Sequence, residues 1–83
     1  MVLFTHVIED VEGLHARPAV KIVTELQCWL STVTVSCGTS GASATDLMGL
    51  MGLDARQGDE LIVTVEGPDE EAAAMALQRV FTF

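Results

Sequence analysis

The sequence predicts an α+β domain with the element order β-α-β-β-α-β-α. Three short runs, Val2 to Ile8, Thr32 to Cys37 and Leu61 to Val65, are dense in β-branched residues and suit strands. Between and after them, apolar residues recur at helical spacing, first as Ala19, Ile22, Val23 and Leu26, then as Ala73, Ala76, Leu77 and Val80. Directly behind the second strand, Gly38 to Gly41 (GTSG) is turn chemistry that folds the chain back as a hairpin.

Each element has its own justification. In the first strand Phe4, His6 and Ile8 share one face and Leu3, Thr5 and Val7 the other, and both faces are apolar enough to be partly covered. His6 has no carboxylate near it in sequence and reads as an ordinary strand histidine. The acidic segment Glu9 to Gly13 is a loop, and the first helix starts near His15. Pro18 fits there because proline is tolerated only in the first turn, where its missing N–H has no intrahelical partner. Trp29, at the end of that helix, is expected to pack at the sheet edge.

The hairpin returns through Ala42 to Ala44. Asp46 reads as the N-cap for LMGLMGL, whose two glycines limit that helix to about two turns. Leu50 and Leu53 of this segment read as core. Asp54 to Glu60 is a polar turn, LIVTV (Leu61 to Val65) is the strongest strand signal, and Gly67-Pro68-Asp69 opens the last helix. Glu70 and Glu71 suit the positive end of that helix and Arg79 its negative end, with Met75 read as core filler.

Eighty-three residues allow one core, since chains of this size bury only about 60 to 65% of their unfolded surface, so one domain spanning residues 1–83 is expected. With 49% hydrophobic and 19% charged residues the chain is globular rather than disordered. Four Lys+Arg against twelve Asp+Glu give a net charge of −8, which argues against binding nucleic acid or an anionic membrane. No apolar run approaches the roughly 18 to 20 residues of a membrane span, so no membrane insertion is expected. MVLFTHVIED carries acids where a signal peptide would carry Lys or Arg, and a cytoplasmic location is expected. Cys28 and Cys37 lack CxxC spacing and a neighbouring histidine, so both are expected to be buried free thiols rather than a zinc or redox site. Glu9, Asp10 and Glu12 form a solvated acidic loop without the context of a metal site, and neither metal nor cofactor is expected.

One string carries chemistry. Gly13-Leu14-His15-Ala16-Arg17-Pro18-Ala19 puts a histidine at the mouth of a helix, with an arginine two residues on. Unpaired backbone N–H groups and the helix dipole make this end an anion site. Arg17 can add a bidentate guanidinium, and neutral His15 a nucleophilic ring nitrogen. The positive helix end and Arg17 should disfavour the protonated ring and then stabilise phosphoryl oxygens. Together these parts describe a phosphorylatable histidine. Taken singly, the same residues equally describe an ordinary helix start with a solvated arginine.

The whole string GLHARPA, at this distance from the N-terminus and ahead of this element order, resembles the active-site motif of the HPr family. Its members are the histidine-containing phosphocarriers of the bacterial phosphoenolpyruvate-dependent sugar phosphotransferase system. The resemblance continues through the hairpin, the short helix after Asp46, the Gly58 turn and EGPDEE, over essentially all 83 residues. It implies an open-faced β-sandwich, a four-stranded antiparallel sheet with three helices on one face. It also implies His15 as the phosphoryl acceptor through Nδ1 and Arg17 as the phosphate-pairing side chain. The implied donor is enzyme I, charged by phosphoenolpyruvate, and the implied acceptors are A components of sugar permeases. Such a chain is a carrier rather than an enzyme, and a monomer best serves successive docking. The alternative is a regulatory HPr-like binding module acting on a transcription factor or metabolic enzyme.

Two departures from the family stand out. Where many members carry a regulatory serine, this chain has Asp46, read as a helix cap in preference to a fixed mimic of phosphoserine. Where familiar members carry lysines, Thr24, Gln27, Thr45 and Gly49 are uncharged. Docking is therefore expected to rely on apolar contacts from Leu47, Met48 and Met51.

Overall fold

A computed structural model describes residues Met1–Phe83. The strand signals become β1 (Val2–Val7), β2 (Thr32–Cys37), β3 (Ser40–Ser43) and β4 (Glu60–Glu66). The helical spacings become α1 (Ala16–Leu26), α2 (Leu47–Gly52) and α3 (Glu70–Gln78), in the expected order. The strands form one antiparallel sheet, ordered β1-β4-β2-β3. Alternation fixes its register. Val33 and Val35 of β2 face the core opposite Val65 and Val63 of β4, while Thr32 and Thr34, which alternate with them, point to solvent. A one-residue slip would turn all four valines outward.

The three helices collect on the apolar face. Ile22 of α1, Leu50 of α2 and Leu77 of α3 are fully buried with Val33, Val35, Leu61, Val63 and Val65 in one core. The opposite face of the sheet is open, as an open-faced sandwich requires. No helix is long and apolar enough to cross a membrane.

Several local expectations are corrected. The second face of β1 is not covered: Leu3, Thr5 and Val7 are all exposed, because the sheet has no layer on that side. The hairpin turn is tighter than GTSG. Cys37 pairs with Ser40, so β3 starts two residues earlier than Ala42, and Gly38 at φ 61° opens the turn. On α3, Ala74 is buried beside Ala73 and Leu77, whereas Ala76 and Val80 are only half-buried. Met75 is 64% exposed rather than core filler, because it projects from the face of α3 away from the sheet. Cys28 is exposed just past the end of α1 and Cys37 is half-buried; both thiols are free. Burial, with the nearby Asp59 charge adding to it, raises the Cys37 thiol above its ordinary pKa.

Other expectations hold. Leu50 and Leu53 are buried. Trp29, expected at the sheet edge, is half-buried against the core, its indole N–H donating to Glu25 Oε2 of α1 at 2.8 Å. The half-buried His6 ring donates to the Phe83 carbonyl at 3.1 Å.

Candidate functional site

The site is assembled at the N-terminus of α1. Gly13 takes φ 68°, and a Cβ there would run into the Ala55 carbonyl oxygen. That oxygen accepts the Leu14 N–H at 3.0 Å, so the loop is stapled to the segment after α2 by the close approach glycine allows. Leu14 is buried as the anchor, and the next residue, His15, projects at the surface.

His15 is the N-cap of α1. Its backbone is extended and its carbonyl accepts the Ala19 N–H at 3.2 Å, but its ring makes no capping bond. The first-turn N–H groups of Ala16 and Arg17 therefore stay open to an external acceptor. Pro18 has no N–H to leave unpaired and is buried beneath them. Exposed Arg17 and Lys21, four residues apart on α1, line with His15 a shallow cavity of about 410 Å3. Its opposite wall is the C-terminal segment Val80, Thr82 and Phe83, and its rim is Asp10 and Glu12.

Asp10 was not singled out by the sequence beyond its place in an acidic loop. Its Oδ2 lies 3.4 Å from His15 Nε2, while its Oδ1 accepts the Glu12 N–H at 2.8 Å. The Asp10 carboxyl is held below the ordinary carboxylate pKa, first by that N–H and then by His15 and Arg17. Both side chains are partly shielded, His15 being 26% and Asp10 34% exposed. One donor atom each of Asp10, Glu12 and His15 fall within 4.8 Å of one another, a clustering common among exposed acidic groups without any ion. Lys21 was legible in principle from its i+4 relation to Arg17, but nothing in the sequence brings Val80 to Phe83 to this wall.

The remaining predicted residues lie outside that cavity, on α2. Asp46 caps the helix, accepting the Gly49 N–H at 3.0 Å. Gly49 is suited to this, since a Cβ there would stand 2.6 Å from Asp46 Oδ2. Met48 is 76% and Met51 40% exposed, with Leu47 half-buried.

Comparison with known proteins identifies the family. A family model described as "PTS HPr component phosphorylation site" matches residues 2–82. Phosphocarrier protein HPr of Treponema pallidum is 42% identical over 69 residues, 83% of this chain and 78% of its own. The solved histidine-containing phosphocarrier protein of a mycoplasma superposes with a TM-score of 0.92 at 26% identity, covering 95% of this chain and 90% of its own. An HPr dimer from Thermoanaerobacter tengcongensis superposes with a TM-score of 0.74 at 35% identity, covering 96% and 92%. The fold, the sequence and the match across nearly all of its length place this chain in the HPr family of phosphocarrier proteins of the phosphotransferase system.

Proposed function

We propose that His15 is the phosphoryl acceptor, that Arg17 pairs with the phosphoryl oxygens, and that the chain relays this group from enzyme I to the A components of sugar permeases. The observation that carries the reading is the position of His15: an N-cap ring that caps nothing, beside open first-turn N–H groups and exposed Arg17. With Nε2 turned to Asp10, Nδ1 is the nitrogen left to attack. Its lone pair forms the P–N bond as the donor's bond to phosphorus breaks. Onward transfer reverses the roles, and the electron pair returns to Nδ1. Loose phosphoryl-transfer transition states need positioning and charge stabilisation more than covalent help, which is what a helix mouth and a guanidinium supply on the carrier's side.

The chain acts as a monomer in this reading, and the exposed Met48 and Met51 with half-buried Leu47 form its apolar docking patch. A mass of one chain by light scattering, at the concentration used for transfer, supports the first statement, and a dimer contradicts it. Incubation with enzyme I and phosphoenolpyruvate followed by intact-mass measurement tests the carrier role. One added phosphoryl group is expected on the parent chain, and none on His15→Ala.

A further inference from the structure

The acidic rim of the site bears on the chemistry of the ring. Asp10 is fixed at both its backbone and its side chain. Its carbonyl accepts the Gly13 N–H at 2.9 Å and its Oδ1 the Glu12 N–H at 2.8 Å, leaving Oδ2 directed at His15 Nε2. The preceding residue is pinned as well, Glu9 N–H donating to the Phe83 carbonyl at 2.9 Å. The carboxylate is thus held opposite the reacting nitrogen, on a loop whose conformation other bonds already fix.

We propose that Asp10 is a positioning residue for phosphoryl transfer, which holds a proton on Nε2 of His15 in both the empty and the loaded carrier. The proposal rests on the reading of His15 as acceptor and deepens it. In the empty carrier a proton on Nε2 leaves the lone pair on Nδ1, so the nucleophile is in the correct tautomer before the donor arrives. When Nδ1 takes the phosphoryl group and Nε2 keeps its proton, the ring becomes a phosphoimidazolium whose positive charge faces the Asp10 carboxylate. On transfer the acceptor's nucleophile bonds to phosphorus, the P–Nδ1 bond breaks, and its electron pair stays on Nδ1. The leaving group is then neutral imidazole, which departs far more readily than an imidazolate. No proton moves to or from the carrier in either direction.

The charges around the ring set the expected sign. Asp10 and Glu12 face it from the loop, Arg17 and Lys21 from α1, and the segment Val80, Thr82 and Phe83 adds no charged side chain. Arg17 and the helix end favour the phosphoryl oxygens and oppose a positive ring. Asp10 is the group in contact with Nε2 that offsets them. The 3.4 Å separation is longer than the roughly 2.7 to 3.2 Å of a strong bond, as is common in catalytic pairs before the reacting group is bound.

The test uses the full chain as parent, Asp10→Asn, Asp10→Ala and Asp10→Glu, each loaded on His15 by enzyme I or chemically with phosphoramidate. Loss of the phosphoryl group is followed across pH. Removing an opposite charge in contact should move the acid-accelerated limb of hydrolysis to lower pH by about one unit, slowing release about tenfold at a given pH on that limb, with Asp10→Glu restoring much of the parent profile. Ring nitrogen chemical shifts of the unloaded proteins should show the Nε2–H tautomer dominant in the parent and reduced in Asp10→Ala, a readout that needs no phosphorylation. Unchanged pH profiles and unchanged tautomer populations in folded Asp10→Asn and Asp10→Ala would overturn the role of Asp10. Failure of enzyme I to label the parent would instead count against the carrier reading, because the tautomer and chemical-loading measurements still report on Asp10.

Discussion

Gly13 decides where His15 stands. Its positive φ and its close approach to the Ala55 carbonyl leave no room for a side chain. Gly13→Ala should therefore destabilise the protein by about 1 to 3 kcal/mol, read as a lower denaturation midpoint, and should impair transfer through displacement of His15. An unchanged midpoint would show that the loop can leave Ala55 at little cost. Arg17 is the reverse case, an exposed side chain lining the cavity beside His15. Arg17→Ala should leave thermal stability unchanged and slow transfer with a fixed partner on the order of 100-fold, the scale of removing one preorganised charge-stabilising donor. Equal rates for parent and variant would take Arg17 out of the mechanism. His15 and Arg17 could be proposed from the sequence because they are neighbours in one short string. The contact of Asp10 with His15 could not, because it depends on a loop path set by bonds to Glu12 and Gly13 rather than on any spacing rule.

Two helix starts show how one residue type serves different ends. Asp46 caps α2 within its own element. Asp46→Ser keeps a good cap, so stability should change by less than about 1 kcal/mol and phosphoryl acceptance should stay constant. A large gain in acceptance would show that the carboxylate acts instead as a fixed inhibitory charge beside the proposed docking patch. Asp69, at the start of α3, does not cap its own helix. It reaches back to the segment between α1 and β2, accepting the Leu30 N–H at 2.9 Å, the Ser31 N–H at 3.0 Å and the Ser31 hydroxyl at 2.5 Å. These bonds, the Leu30 N–H first, hold its carboxyl below the ordinary pKa. A depressed folded-state pKa means the clamp's contribution is complete above the unfolded value of about 3.9 and fades as pH falls through the folded one. Melting from about pH 7 down to about pH 3 should therefore show Asp69→Asn less stable at neutral pH, with its curve converging on that of the parent in acid. Parallel curves would contradict the clamp. The capping role of Asp46 was readable from one residue ahead of a short helix. The role of Asp69 was not, because its partners lie 38 and 39 residues away.

The architecture as a whole was legible because its three strong strands and two amphipathic helices each announce their period, and their order excludes most alternatives. What composition could not settle was which surfaces stay bare. Leu3 and Val7 alternate as a covered strand would, and Met75 sits in an apolar helix, yet a sheet with one helical layer leaves both places exposed. The same one-sided design leaves the outer surfaces of α1 and α2 exposed, with core residues such as Ile22 and Leu50 tying those helices to the sheet. In the proposed reading the carrier turns over nothing by itself; it presents the His15 ring, at the mouth of α1, to partners in succession. The most direct test is labelling with phosphoenolpyruvate and a competent enzyme I, read by intact mass and by peptide mapping. One acid-labile phosphoryl group is expected on His15 of the parent and none on His15→Ala. Equal labelling of His15→Ala, or labelling at His6, would contradict it.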